Sequence, residues 1–247
     1  YGDHRDLHYP LRRQRQMCIR DRKYDLIVIG GGSAGMNLLR PAAAKGWKSA
    51  LIENRHLGGT CINIGCIPSK TLIYSSRVMQ EVRDAKRYGV LANEPRADWT
   101  AMVRRKDRLV GRIRSRNYRY VEETAEIDLY EGEARFSGLH DITVNGEVLS
   151  AEKIIIAAGA RTAIPPVQGL DSIDYLTSTS AMELEVLPGS LLILGGGIIA
   201  LEFSQLFARL GVKVTILQRG ERLAPNLEPE ISAEIKKILE KEGVDVK

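Results

Sequence analysis

Cys61 and Cys66 stand five positions apart in GGTCINIGCIPSK, residues 58–70, with Lys70 four residues behind the second thiol. Such a pair can ligate a metal, serve as structural sulfur, or carry two electrons by opening and closing a disulfide. Structural zinc takes four ligands, usually as two close pairs. The chain offers no second pair, and His56 is a lone histidine in a polar loop, so no metal site is expected. The electron-carrying reading fits better. Pro68 suits the first turn of a helix over IPSKTLIYSSRVMQEV, which sets Cys66 near a helix N-terminus. A helix N-terminus and a nearby lysine both favour a thiolate. Gly58, Gly59 and Gly65 let the backbone approach a flat cofactor closely.

A second chemistry lies in the glycines. In KYDLIVIGGGSAG, an apolar run of strand type ends in Gly30, Gly32 and Gly35, spaced as G-x-G-x-x-G. The first glycine makes a tight turn, the second admits a pyrophosphate, and the third lets helix and strand pack. Ser33, Ala34 and Gly35 then open a helix whose N-terminus faces the phosphates. KSALIE follows as a second strand and ends in Glu53, placed to meet a ribose hydroxyl. Pro41 falls inside the expected helix and should bend or shorten it.

The pattern returns in LLILGGGIIALEFSQLFARLGVKVTILQRGERL, with Gly195, Gly196, Gly197, Ile198, Ile199 and Ala200 between strand and helix. The next strand, residues 212–217, leads to Gln218 in place of an acid, with Arg219 and Arg222 behind it. A carboxylate there repels a 2′-phosphate and an arginine pairs with it, so NADP is expected, with NAD possible.

GGTCINIGCIPSK is similar to the signature of the class I pyridine nucleotide-disulfide oxidoreductases, and the resemblance runs from about Lys23 to Lys247 with both glycine motifs in order. It implies that the first fingerprint, Glu53, Gly59 and Thr60 hold FAD and that the second fingerprint, with Gln218 and Arg219, holds the nicotinamide cofactor. It also implies that Cys61 attacks the acceptor, that Cys66 faces the flavin, and that Lys70 pairs with Glu202 near the flavin N5. GEARF, with Ala134, resembles a contact to the adenine half of FAD. IIIAAGART, with Ala158 and Gly159, resembles a strand end that normally carries threonine where Ala158 stands, so a hydroxyl contact is lost. CIPSK and Ile198 resemble the mercuric reductase and dihydrolipoamide dehydrogenase branches more than glutathione reductases, and TLIYSSR and Gln218 tilt the resemblance towards mercuric reductase, with dihydrolipoamide dehydrogenase the alternative. A disulfide or metal-ion acceptor and a homodimeric full-length form follow from the same resemblance.

The expected fold is α/β, with two Rossmann-like dinucleotide-binding domains: 23–165 for FAD, including a small β-meander, and 166–247 for NAD(P), incomplete. ARTAIPPVQGLD supplies the linker, and Asn145-Gly146 a two-residue hairpin turn. Residues 98–124 read as a helix, and NLEPEISAEIKKILEKEG as an amphipathic one with Ile231, Ile235, Ile238 and Leu239 on its apolar face. Relatives resembling this chain are nearly twice as long, and neither His56 nor His140 matches the family's acid–base histidine. The chain is therefore expected to be the front half of an enzyme, inactive as it stands.

Length and composition agree with this reading. A chain of 247 residues, 44% hydrophobic, can bury a core, and no apolar run reaches the ~18 residues of a bilayer span, so no membrane partner is expected. Of the net charge of +5, the first 22 residues hold +3, six arginines against three aspartates. Their end, MCIRDR, resembles a translated sequencing adapter, which predicts a non-native tail over 1–22 and leaves Cys61 and Cys66 as the remaining cysteines. Two thiols and no signal peptide point to the cytoplasm. From Arg104 to Arg119 there are eight basic residues and one acid. A nucleic-acid adaptor is one rival reading, but a solvated helix face or subunit contact suits the run better, and no nucleic acid is expected. A catalytically silent FAD-binding fragment is the other rival.

Overall fold

The computed structural model describes residues 22–247. The expectation of a non-native tail over 1–22 lies outside the described residues, except that the backbone of Arg22 opens the first strand. The fold is α/β, and the chain divides into two compact units: residues up to 61 with 113–161, and 62–112 with 162–247.

The first unit is built on a six-stranded sheet. Its strands are β1 (Arg22–Ile29), β2 (Ser49–Glu53), β3 (Ile127–Glu131), β4 (Arg135–Phe136), β5 (Asp141–Val144) and β6 (Glu147–Ile156), in the order β3-β2-β1-β6-β5-β4. Strands β3, β2, β1 and β6 run parallel, and β4 and β5 add antiparallel pairs at the far edge. The apolar runs of β1 and β2 alternate between two cores, as period-two strands must. Leu26, Val28 and Leu51 join Met36 and Leu39 of α1 (Ser33–Ala44), whereas Ile27, Ala50 and Ile52 join Ile142, Val144 and Leu149. At the bottom of β1 the Tyr24 hydroxyl donates to Asp128 Oδ2 and shares a hydrogen bond with the Tyr130 hydroxyl, both at 2.7 Å. Burial and these two partners push the Tyr24 phenol above its ordinary range.

Pro41 neither ends α1 nor leaves it long: the helix runs one further turn to Ala44 and closes at Gly46, φ +74°. Asn145 and Gly146, with φ of +51° and +82°, make the expected two-residue turn between β5 and β6.

The second unit holds a parallel three-stranded sheet, β7 (Ser190–Leu194), β8 (Lys213–Leu217) and β9 (Asp245–Val246), in that order. Helix α6 (Ile198–Arg209) connects β7 to β8, and α7 (Pro229–Lys241) connects β8 to β9. Two earlier helices supply this unit: α3 (Cys66–Asp84) and the first half of α4 (Trp99–Glu122). Leu72 and Trp99 pack with Phe203, Leu206, Phe207, Val214 and Ile216 in one core, which is why residues 62–112 group here and not with the rest of 23–165. The Trp99 indole N–H donates to Leu184 O at 2.6 Å. Lys106, only 1% exposed, donates to Met182 O at 3.1 Å and to Glu183 Oε1 at 2.7 Å, just past the short helix α5 (Ser178–Ala181).

The apolar face expected for α7 needs correction. Ser232, Ile235 and Leu239 face the core, whereas Ile231 and Ile238 are 49% and 45% exposed. At about 100° per residue these two sit together at one margin of the stripe centred on Ile235 and Leu239. Among the described residues no helix is long and apolar enough to cross a membrane.

Candidate functional site

The same turn is built twice. In the first unit β1 leaves the sheet at Gly30, whose φ of +107° favours glycine, and an added Cβ would lie 2.2 Å from Ala157 O. A Cβ on Gly35 would lie 2.0 Å from Gly30 O, so this glycine is what lets α1 press onto the strand end. Gly32 differs: beyond its chain neighbours the nearest atom to a Cβ is Gly59 Cα at 3.7 Å. Gly32 caps α1 without a side-chain hydrogen bond, and Ser33, Ala34 and Gly35 follow as its first turn. The first-turn amides of α1 therefore have no side-chain cap, the arrangement that suits an anion at a helix N-terminus.

Glu53, at the end of β2, fastens this turn. Its Oε2 accepts the Gly31 N–H and its Oε1 the Arg55 N–H, each at 2.8 Å. Each carboxylate oxygen keeps a further acceptor site for a hydroxyl. The loop after β2 closes the turn from the other side: Gly58 N–H donates to Gly31 O at 2.8 Å, and the fully buried Leu57 fills the space a Gly31 side chain would take.

In the second unit Gly195 turns at φ +95°, and Gly196 N–H donates to Gln218 Oε1 at 2.8 Å. Ala224 N–H donates to Gly196 O at 2.7 Å, and Leu223 fills the space over Gly196. A Cβ on Gly197 would meet nothing within 4 Å. Ile198, Ile199 and Ala200 open α6, the two isoleucines more than half exposed. Gln218 thus fastens its turn as Glu53 does, 22 residues from the glycine in both cases. Arg219 and Arg222 are exposed beyond it.

The cysteines stand on separate short-range frameworks. Thr60 and the half-buried Cys61 lie in α2 (Gly59–Asn63), where a Cβ on Gly59 would come within 2.7 Å of Gly32 Cα. Cys66 is exposed and is the first residue of α3, whose cap, Gly65, has no side chain to satisfy the first-turn amides. One turn on, Lys70 forms an ion pair with Glu202 of α6, bringing together two residues 132 positions apart. Ala134, just before β4, is half-buried against the core over Ile142 and Leu149, and Ala158 and Gly159 follow β6 exposed, Gly159 at φ +73°.

Three residues that complete the turns escape the sequence motif: Gly31, Leu57 and Leu223. Their signal was available, since both glycine runs are GGG and a leucine follows each strand-end Glu or Gln at nearly equal distance.

The two turns on parallel strands, with a dithiol segment between them in the chain, define a nucleotide-dependent oxidoreductase fold. The chain matches the pyridine nucleotide-disulphide oxidoreductase family over residues 24–247 and belongs to it. The family is FAD-dependent and takes its electrons from NAD(P)H. The chain is 41% identical over 229 residues to a mercuric reductase of Streptomyces lividans, covering 90% of this chain and 48% of that protein. It is 38% identical to the mercuric reductase of Lysinibacillus sphaericus, over 92% of this chain and 42% of that protein. Among solved structures it is similar to a Cu(II) complex of the HOCl-induced flavoprotein disulfide reductase RclA from Escherichia coli, with a TM-score of 0.79 and 37% identity. That match covers 90% of this chain and 48% of RclA, so the chain spans about half the length of the relatives it matches.

Proposed function

We propose that this chain carries the FAD-binding and dithiol portion of an oxidoreductase that passes electrons from NAD(P)H to a disulfide or metal-ion acceptor, in the manner of a mercuric reductase. The observation that carries this reading is the doubled glycine turn, each copy fastened by a side chain 22 residues on from its middle glycine. One copy suits FAD and the other NAD(P)H. Bound FAD would supply the two-electron relay between the nicotinamide and the dithiol.

The remaining work belongs to side chains. Cys61 and Cys66, thiols in this structure, would close a disulfide on giving up two electrons and two protons and reopen it on taking them back. Cys66, at the bare N-terminus of α3, would be the thiol that takes electrons from bound FAD. Cys61 is then the thiol that attacks the acceptor. With a disulfide acceptor, the Cys61 thiolate displaces one acceptor sulfur to give a mixed disulfide. Cys66 then attacks Cys61, re-forming the internal bond and releasing the second acceptor thiol. Lys70 places a positive charge beside this chemistry, held by Glu202. Ala134, Ala158 and Gly159 would serve the adenine and strand-end contacts to FAD.

At the second turn, Gln218 removes the carboxylate that would repel a 2′-phosphate, and the exposed Arg219 and Arg222 are free to meet one, which supports NADPH over NADH. The similarity to two mercuric reductases and to a Cu(II) complex supports a metal-ion acceptor. The lower identity, 34%, to the dihydrolipoyl dehydrogenase of Bacillus subtilis keeps lipoamide as the second reading. In this reading the reaction runs in the cytoplasm and the full-length form is a homodimer, as the family resemblance implies.

Three measurements test this. The purified chain should bind about one FAD. On the full-length protein, Cys61→Ser should keep FAD and dye-linked NADPH oxidation while abolishing acceptor reduction; unchanged acceptor turnover overturns the dithiol assignment. Steady-state rates should favour NADPH, and a strong NADH preference overturns the part given to Gln218.

A further inference from the structure

The first turn belongs to a closed circuit of contacts that runs beyond the fingerprint. Gly31 donates to Glu53 and accepts from Gly58, with Leu57 packed over it. Glu53 lies opposite Glu131 in the β2–β3 register, and Gly132 N–H donates to Glu53 O at 2.9 Å. Asn145 holds that strand end from outside, its Nδ2 donating to Glu131 O at 2.9 Å. The circuit is completed from α4: the Tyr118 hydroxyl donates to Glu131 Oε1 at 3.1 Å and is hydrogen-bonded by the backbone of Leu57. One phenol therefore joins the end of β3 to the loop that covers Gly31. All of these residues lie in the first unit.

We propose that Tyr118 is a positioning residue of the first dinucleotide site, its hydroxyl latching the 54–58 loop to Glu131 so that the Gly31 turn is preformed for the adenosine half of a dinucleotide. The inference rests on the reading of this turn as the FAD site. The physical reason for a latch is entropic. The loop buries Leu57 but leaves 54–56 exposed, and an unfastened loop must be ordered each time a ligand binds. Removing that ordering cost raises affinity without a new contact to the ligand. The ring of Tyr118 packs against the core of Leu26, Met36 and Leu51, so the hydroxyl can be removed while the packing stays. Burial and the Glu131 carboxylate raise the phenol's pKa, which keeps its proton in place for donation.

The test uses Tyr118→Phe in the purified chain, with binding of FAD, ADP and FMN measured side by side and amide hydrogen exchange followed at Leu57 and Gly58. FAD and ADP should each bind about 3- to 10-fold more weakly, as expected for one lost hydrogen bond, while FMN, which has no adenosine, is unchanged. Exchange at Gly58 should quicken. Glu131→Gln keeps an acceptor oxygen and should lose less than Glu131→Ala. Unchanged FAD and ADP affinity, or an equal loss for FMN, overturns the latch. Should the unsubstituted chain bind no FAD, the FAD reading fails on its own. The latch is then judged by exchange alone, and unaltered exchange at Gly58 overturns it.

Discussion

A methyl group added at Gly30 and one added at Gly197 should have opposite consequences, because one glycine serves the fold and the other faces open space. At Gly30 the backbone is left-handed and the Cβ would lie 2.2 Å from a carbonyl oxygen. Gly30→Ala should therefore cost about 2–3 kcal/mol or more of stability, read as a fall in melting temperature. At Gly197 φ is −77° and nothing lies within 4 Å of a Cβ. Gly197→Ala should leave stability within about 0.5 kcal/mol while weakening NADPH binding roughly tenfold or more. Tyr24 gives a prediction in pH. Its folded pKa is raised above the usual ~10, so its contribution is complete below that pH and is lost as pH rises through the folded value. Stability should fall with alkali above about pH 10, and Tyr24→Phe should flatten that fall while costing about 1–2 kcal/mol at neutral pH. Chemical denaturation at several pH values checks both.

Among the elements, the glycine turns, the hairpin at Asn145-Gly146 and the helices beginning at Cys66 and Trp99 could be read from the sequence because local sterics decide them. Positive φ at Gly30, Gly195 and Gly146 is a demand that the chain states on the spot. The packing of α3 and α4 with Phe203 and Phe207 could not be read in this way, since it depends on partners roughly a hundred residues away. Nor could the burial of Lys106, whose place in a run of arginines reads as solvated until Met182 O and Glu183 are brought to it. The phase of α7 failed for a smaller reason: four apolar residues span more arc than one neighbour covers, and periodicity does not say which edge is left out. Leu239→Ala should cost about 2–4 kcal/mol and Ile238→Ala less than about 1 kcal/mol, measured by urea unfolding.

At the scale of the molecule, each unit has cores of its own, so damage should remain local. Phe207→Ala removes a fully buried ring from the core shared by α3, α4, α6 and β8. Amide exchange should accelerate in β7 and β8 by more than tenfold, with β1 and β2 far less affected. An equal loss of protection in both sheets would show that the cores are not separate. The repeated turn carries a last consequence. In the proposed reading, two grips of one design hold what all dinucleotides share, and only the parts in which they differ can sort one passenger from another. Discrimination must then be written where they differ: Glu53 against Gln218, and NRHLGG at 54–59 against RGERLA at 219–224. Exchanging those stretches, with the glycines of 30–35 and 195–197 untouched, is where an engineer should look to redirect traffic.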